Sequence, residues 1–262
     1  MVIPCIDMKI ILIGAGNLAT RLAVALQKKG MTPAYIYSRT RESAEQLSER
    51  LRDVPYSTDI SRVSTDGDLY IFAVKDSALL DLVSRMPANR GLWVHTAGSM
   101  DMEVFAPYTA RYGVFYPMQT FSKERKTDFD DIPIFVEANH TNDTERLQEL
   151  AGRLSTKVYE ATSEQRKYLH LAAVFACNFT NHLYALCDRI LSEHGLPFET
   201  MLPLIRETAA KVADMPPAQA QTGPAIRYDK NVIDKQMALL SDPTMRQIYD
   251  LMSRSIHETN KH

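Results

Sequence analysis

A glycine-rich turn near the start of the chain is the first segment whose residue types suggest a chemical role. It reads Gly14-Ala15-Gly16-Asn17-Leu18-Ala19, after an apolar run and before a helical pattern, the context that the Gly-x-Gly-x-x-Gly/Ala pattern requires. The first glycine permits a tight turn, the second lets the backbone approach a pyrophosphate, and free N–H groups at the helix start favour an anion. The turn predicts a dinucleotide site; a turn needed only for packing is the alternative.

The segment after the second predicted strand distinguishes between the two pyridine dinucleotides. It reads Ser38-Arg39-Thr40-Arg41, whereas an Asp or Glu would be expected there for the ribose hydroxyls of NAD. A guanidinium pairs with a 2′-phosphate, and the hydroxyls can donate to it. We therefore predict NADP as the cofactor, with Ser38, Arg39 and Thr40 at its phosphorylated ribose. Alternatively, Arg39 and Arg41 are solvated cations that begin a helix.

Polar residues also follow two later predicted strands. Val74 and Lys75 end one, and His95 and Thr96 end the next. Ligands in open parallel sheets lie outside the carboxyl ends of the strands, so these residues are expected to border the nicotinamide half of the site. His95 is a candidate for proton transfer because imidazole titrates near neutral pH. The alternative is that all four are ordinary loop residues.

A long apolar helical pattern carries four polar side chains, His170, Asn178, Asn181 and His182. At about 100° per residue, the last three share roughly a third of the helix circumference, with His170 at its edge. Unpartnered buried amides and imidazoles are costly, so these groups need water, polar neighbours or a ligand. We predict that His170 and Asn178 are catalytic and that Asn181 contacts substrate. Hydrogen bonds across a helix interface are the alternative, which we favour for His182.

A loop in the last third of the chain offers a possible carboxylate site. Thr222, Gly223 and Pro224 are followed by Arg227 and Asp229. A hydroxyl, free backbone amides and an arginine can together hold a substrate carboxylate. A helix-capping loop with a surface ion pair explains the same residues equally well.

The elements that position these residues fall into two parts. Short apolar runs alternate with helical patterns up to Ala161, which predicts βαβ units and a mostly parallel Rossmann-type sheet. Thr162 and Gln165 have capping-box spacing, and helical patterns follow to the end. We predict an α/β fold with a dinucleotide-binding domain at 1–161 and an all-helical substrate or dimerisation domain at 162–262. The predicted strands are Lys9–Ile13, Ala34–Tyr37, Asp68–Val74, Leu92–His95, Gly113–Tyr116, Ile132–Glu137 and Lys157–Glu160. The predicted helices are Asn17–Lys29, Arg41–Arg52, Thr144–Leu154, a long helix from the capping box to His194, Pro197–Ala213, Lys230–Ser241 and Pro243–His257.

Composition limits the possible partners. The formal net charge is −2, which gives no footprint for nucleic acid or an anionic membrane. We find no membrane span and no signal peptide pattern, so a cytoplasmic location is expected. Cys5, Cys177 and Cys187 lack CxxC spacing, which argues against a disulfide framework or zinc site. No cluster of His, Asp or Glu has convincing metal-ligand spacing, and no metal is predicted.

Five segments occur together in this order: the Gly14 turn, His95-Thr-Ala-Gly98-Ser99, Tyr116-Pro-Met-Gln119-Thr120-Phe121, His170-Leu-Ala-Ala-Val-Phe-Ala-Cys-Asn178-Phe and Thr222-Gly-Pro224. Together they resemble a known family of NADP oxidoreductases that joins a Rossmann-like domain to a helical domain of unknown function. The family is similar to pyrroline-5-carboxylate reductase, deazaflavin-dependent NADP reductase and the wider 6-phosphogluconate dehydrogenase-like superfamily.

This resemblance implies an NADP-binding domain, a helical domain that often forms a dimer, and a cleft between them. It would place His95, Ser99, Pro117, Gln119, His170, Asn178 and Thr222 to Pro224 around that cleft, with Gln119 contacting substrate. Related hydroxyacid dehydrogenases carry Lys-x-x-x-Asn on the long helix. If Asn178 matches that asparagine, Val174 stands at the lysine position, so their proton-transfer machinery cannot be carried over.

Three functions remain open from the sequence. The first is an NADP-dependent oxidoreductase that transfers a hydride to or from a small carbonyl, imine or hydroxy compound, which the polar residues His170 and Asn178 favour. The second is a non-catalytic NADP(H)-binding regulatory or sensor protein, which the missing helix lysine favours. The third is a dimerisation scaffold with an empty Rossmann fold. The apolar surface of the long helix predicts a homodimer.

Overall fold

A single mixed sheet dominates the first part of the chain in this computed structural model, which describes residues 8–260. Cys5 lies outside the described residues. The strands are β1 (Ile10–Ile13), β2 (Tyr35–Tyr37), β3 (Tyr56–Ser57), β4 (Leu69–Phe72), β5 (Leu92–His95), β6 (Tyr112–Pro117), β7 (Ile134–Ala138) and β8 (Val158–Glu160).

The strand order is β3-β2-β1-β4-β5-β6-β7-β8. All neighbouring pairs are parallel except β6 and β7, which pair antiparallel. Every residue of β1, β4 and β5 is buried, as expected for strands covered on both faces. The sheet confirms the predicted mostly parallel Rossmann-type fold.

Four helices accompany the sheet: α1 (Asn17–Lys28), α2 (Arg41–Arg50), α3 (Asp76–Ser84) and α4 (Thr141–Leu154). Helix α1 buries Ala19, Leu22 and Leu26 completely, so its apolar stripe packs on the sheet. The sequence analysis omitted β3 and α3. Strand β3 has two residues, too few to show alternation, and α3 begins without a side-chain cap.

The long helical segment begins with the predicted capping box. The Thr162 hydroxyl accepts from the Gln165 N–H at 3.2 Å, and the Gln165 carboxamide accepts from the Thr162 N–H at 2.9 Å. The segment comprises α5 (Ser163–Ala173), a π-helical stretch (Val174–Phe179) and α6 (Thr180–Glu193). Asn178 lies within the π stretch and Asn181 beyond it. Because i→i+5 winding differs from α-helical winding, the angles predicted at 100° per residue between His170 and these asparagines do not apply.

The rest of the chain is helical, as predicted. Its α-helices are α7 (Leu202–Asp214), α8 (Pro217–Ala220), α9 (Pro224–Arg227), α10 (Lys230–Leu239) and α11 (Pro243–Thr259). Three 3₁₀ helices lie at Ile60–Arg62, Met102–Phe105 and Phe198–Met201. None of the helices within residues 8–260 has the length and apolarity needed to cross a bilayer.

Contacts divide the chain into two compact units, the first reaching Cys177 and the second beginning at Asn178. Helix α5 therefore belongs with the sheet, and its Arg166 is hydrogen bonded inside the first unit. The functional division at 1–161 and 162–262 stays a prediction. The two described cysteines, Cys177 and Cys187, are free thiols.

Candidate dinucleotide-binding site

The structure explains the two glycines of the turn after β1, Gly14 and Gly16, in different ways. Gly14 has φ +124°, and an added Cβ would lie 2.3 Å from the carbonyl oxygen of Ala73. Its N–H donates to the Tyr37 carbonyl at 2.7 Å. The fold itself thus requires glycine at this position. A Cβ at Gly16 would meet no atom within 4 Å, so its backbone faces open space that a ligand can approach.

An open cavity of about 710 Å³ lies beside this turn. It collects eight of the predicted cofactor residues from the carboxyl ends of three neighbouring strands, β1, β2 and β4. This is the edge at which ligands of such sheets bind. The lining residues are Gly14, Ala15, Gly16, Tyr37, Ser38, Arg39, Thr40, Ser43, Thr58, Ala73, Val74, Lys75, Ser77, Ala78, Asp81, Leu82, Arg85 and Lys123.

The two arginines of the predicted phosphate-binding segment, Arg39 and Arg41, differ in ion pairing and in their position relative to the cavity. Arg41 forms an ion pair with Glu45, with 3.2 Å between Nε and Oε1, and is not among the cavity-lining residues. Arg39 and Lys75 line the cavity, are exposed, and form no ion pair with the described residues. Arg39 is therefore the stronger candidate for a 2′-phosphate.

Three predicted cofactor residues do not present side-chain donors to the cavity. The Asn17 amide donates to the Phe121 carbonyl at 3.0 Å. Leu18 packs against the apolar core. Thr96 is buried, and its hydroxyl donates to the Phe72 carbonyl at 3.5 Å. Any contribution of these residues to the cofactor is expected from the backbone and stays a prediction.

His95 has no solvent exposure. Its Nε2–H donates to the Asp101 carbonyl at 3.3 Å, and its Nδ1 accepts from the Ala97 N–H at 3.2 Å. Burial, reinforced by the charge of Arg166, lowers its pKa to about 4. Because the ring is neutral and both nitrogens are occupied, the geometry opposes the prediction that His95 transfers protons. The catalytic role of His95 stays a prediction.

His170 lies at a second cluster, formed by α5, β6 and the loop after β5. Its Nδ1 is 3.3 Å from the Tyr116 hydroxyl, and a Cβ added to Gly98 would lie 2.6 Å from the same nitrogen. The imidazole is largely exposed, and Nε2 forms no hydrogen bond with the described residues. Tyr116 is buried, which raises its pKa, so its hydroxyl stays protonated at neutral pH.

A buried ion pair holds this cluster together. Arg166, fully buried one helical turn before His170, donates to Glu137 at 2.7 Å. The same guanidinium donates to the carbonyls of Ala97 and Met100, at 3.3 and 2.5 Å. Helix α5 is thereby fixed to the loop that contains Gly98. Nearby, the Ser99 hydroxyl donates to the Asp76 carboxylate.

The remaining predicted site residues lie elsewhere. Gln119 is exposed, and its side-chain oxygen accepts from the Thr120 N–H at 2.8 Å. Asn178 and Asn181 are exposed residues of the second unit. Thr222 and Gly223 precede α9, and the exposed Arg227 ends that helix. Their catalytic and substrate-binding roles stay predictions.

Sequence reasoning gave no role to Tyr116 and Arg166, although Tyr116 stands in one of the family-like segments. The full burial of an arginine cannot be recognised in the sequence, since it depends on tertiary packing. No group of three or more His, Cys, Asp or Glu within residues 8–260 is placed to hold a metal ion.

The sheet and the glycine turn define a Rossmann-type fold with a helical C-terminal part. A Rossmann-like domain matches residues 3–118, and the Domain of unknown function (DUF2520) matches residues 132–256. A crystal structure named "putative NADP oxidoreductase", from Bacteroides fragilis, is 53% identical, with a TM-score of 0.89, covering 96% of this chain and 98% of that one. The chain belongs to the family of that protein, in which a Rossmann-like domain precedes DUF2520.

More distant solved structures share the fold. A reductive aminase from Aspergillus terreus, in complex with NADPH and ethyl levulinate, is 17% identical with a TM-score of 0.73, covering 97% of this chain and 95% of that one. A pyrroline-5-carboxylate reductase from Coxiella burnetii is 15% identical with a TM-score of 0.60, covering 97% of each chain. Among curated proteins, no sequence match is found.

Proposed function

We propose that this protein is an NADP-dependent oxidoreductase that transfers a hydride between NADP(H) and a small carbonyl, imine or hydroxy compound. The observation that carries the proposal is the cavity lined by the open backbone of Gly16 together with Arg39 and Lys75, two cations without ion-pair partners among the described residues. Cations without ion-pair partners, next to free backbone N–H groups, favour a ligand that carries several phosphates.

The residues that would hold the cofactor follow from this cavity. The turn at Gly14 to Gly16 would receive the pyrophosphate, with Arg39, Ser38 and Thr40 at the 2′-phosphate. Lys75, at the end of β4, would border the nicotinamide side. A bound NADPH supplies the hydride, and the protein orients the reactants and manages the accompanying proton.

We assign that proton to His170. Its Nδ1 is held by the Tyr116 hydroxyl, which fixes the ring, while Nε2 remains available to a substrate. Imidazole exchanges protons efficiently near neutral pH. The Arg166–Glu137 pair keeps α5 against the loop at Gly98 and so helps to position His170.

The family relationship supports the proposed NADP-dependent activity, because the Bacteroides fragilis relative is named as an NADP oxidoreductase. The shared fold with a reductase crystallised with NADPH is consistent with the same cofactor class. For this chain, the substrate class of carbonyls and imines is our proposal.

We further propose that the protein works as a cytoplasmic homodimer. Ile233 and Met245 are the only buried apolar residues among the described residues of the second unit. Large apolar side chains there remain exposed, among them Leu204 at 62%, Leu239 at 80% and Leu251 at 62%. Exposed apolar surface of this kind is typical of subunit interfaces.

The direct test is NADPH oxidation by the purified protein across a panel of keto acids and cyclic imines. We expect turnover with at least one compound, lost in His170→Gln and retained in His140→Gln, a matched control at an exposed histidine of the first unit. Tight NADPH binding without turnover on the whole panel would instead support a regulatory protein that senses the nucleotide.

A further inference from the structure

The connection between β6 and β7 contains a segment, residues 121–123, that is fastened to the start of α1. The Asn17 amide donates to the carbonyl of Phe121 at 3.0 Å. The guanidinium of Arg21, which is buried, donates to the carbonyls of Ser122 and Lys123 at 2.9 and 2.5 Å. Three consecutive carbonyl groups are therefore fixed at the helix end that adjoins the glycine turn.

This fastening fixes the backbone of Lys123 and leaves its side chain available. A second arginine, Arg50, also donates to the Lys123 carbonyl, at 3.2 Å. The Lys123 ammonium group forms no hydrogen bond or ion pair with the described residues. The residue is half-buried and lines the dinucleotide cavity together with Gly16, Arg39 and Ser43.

Of the other cations near the cavity, Lys75 lines it just beyond β4 without an ion pair among the described residues, and the rest are already occupied or lie outside it. Arg85 pairs with Asp81 on its own helix, at 3.3 Å. Arg21 and Arg50 donate to the backbone carbonyls just described. Lys126, three residues beyond Lys123, lines a neighbouring groove but not this cavity. Three cations that line the cavity thus have unmatched charge among the described residues: Arg39, Lys123 and Lys75, of which the proposed function gives Lys75 to the nicotinamide side.

We propose that Lys123 is a specificity-determining residue that binds the 2′-phosphate of NADP(H) opposite Arg39. The inference rests on the proposed function. A 2′-phosphate carries close to two negative charges near neutral pH, as phosphate monoesters do, so two cations match it better than one. Lys123 comes from a segment that the dinucleotide-binding pattern does not include, and it distinguishes NADP from NAD without touching their common part.

The experiment compares dissociation constants for NADPH and NADH, by calorimetry, in the wild-type protein, Lys123→Met and Lys126→Met. Methionine keeps an unbranched stem and removes the charge, while the bonds from Arg21 and Arg50 go to a main-chain carbonyl that remains. We expect Lys123→Met to weaken NADPH about tenfold and NADH less than twofold. Lys126→Met should change neither, and Lys123→Arg should restore NADPH affinity.

Three results would overturn the assignment. Equal weakening of NADPH and NADH would mean that Lys123 contacts the shared pyrophosphate. Unchanged NADPH affinity in Lys123→Met, with tight binding by the wild type, would refute the role of Lys123 and leave the proposed function intact. A wild-type protein that binds neither nucleotide would refute both.

Discussion

The imidazole of His170 lies against the backbone of Gly98, where an added methyl group would come within 2.6 Å of Nδ1 and 2.8 Å of Cγ. Real Cβ atoms do not approach so closely, so the helix that carries His170 and the loop after β5 can meet only at a glycine. The same nitrogen of His170 is held by Tyr116. The position of the proposed proton carrier therefore depends on a residue with no side chain.

Replacing Gly98 with alanine should displace His170. We expect a loss of stability of about 1–3 kcal/mol from overpacking and a fall in turnover, with NADPH affinity unchanged because the cavity does not include Gly98. Gly152→Ala in α4 is the control, since a Cβ there meets no atom within 4 Å and alanine favours a helix. Urea unfolding and NADPH oxidation measure both effects; wild-type turnover in Gly98→Ala would contradict the role of this contact.

The two glycines of the turn should respond differently to alanine. Gly14→Ala should destabilise the fold by about 2–4 kcal/mol, because it combines positive φ with a backbone clash. Gly16→Ala should leave the free energy of unfolding nearly unchanged and weaken both NADPH and NADH, since its methyl group enters the open space assigned to the pyrophosphate. Calorimetry that finds wild-type affinity in a folded Gly16→Ala protein would place the ligand elsewhere.

Arg39 and Arg41 form a matched pair for cofactor choice. Arg39→Ala removes a charge-assisted hydrogen bond and should weaken NADPH by about 1.5–3 kcal/mol, with little effect on NADH. Arg41→Ala should change neither, because that side chain is paired with Glu45 outside the cavity. A larger effect at Arg41 than at Arg39, measured as the ratio of the two dissociation constants, would reverse our assignment.

His95 should make stability depend on pH below neutrality. Its pKa is lowered from 6.5 to about 4, so between these values the unfolded chain binds more protons than the folded one. The contribution is complete above pH 6.5 and is lost as pH falls toward 4, costing about 2 kcal/mol between pH 7 and 5. Urea unfolding at both pH values should show this difference in the wild type and not in His95→Gln. If the free energy of unfolding changes equally with pH in the wild type and in His95→Gln, folding does not lower the pKa of His95.

The second unit should associate through its exposed apolar helices. Light scattering at micromolar concentration is expected to give twice the chain mass of 29.6 kDa. Leu239→Glu places a charge at a side chain that is 80% exposed and tests whether this side chain lies in the dimer interface. Ile233 is buried and is left unchanged to preserve the fold. A monomer mass for the wild type would contradict the proposal.

The sheet could be predicted from the sequence because its buried strands are continuous apolar runs, such as Leu92–His95, which coincides with β5. The cavity residues at Gly14 and Arg39 were predictable because the turn and strand end are local features. Tyr116, Arg166 and Lys123 were not, since their importance arises from contacts between segments far apart in the chain. The burial and hydrogen bonds of His95 were not predictable either, since they depend on tertiary packing.

The antiparallel pairing of β6 with β7 determines what the intervening chain can do. A parallel partner would have required a crossover along one face of the sheet, usually through a helix. The reversal removes that requirement, so this connection stays at the carboxyl edge of the sheet, where Asn17 and Arg21 hold its carbonyl groups. Lys123, far along the chain from Gly16, can therefore line the same cavity.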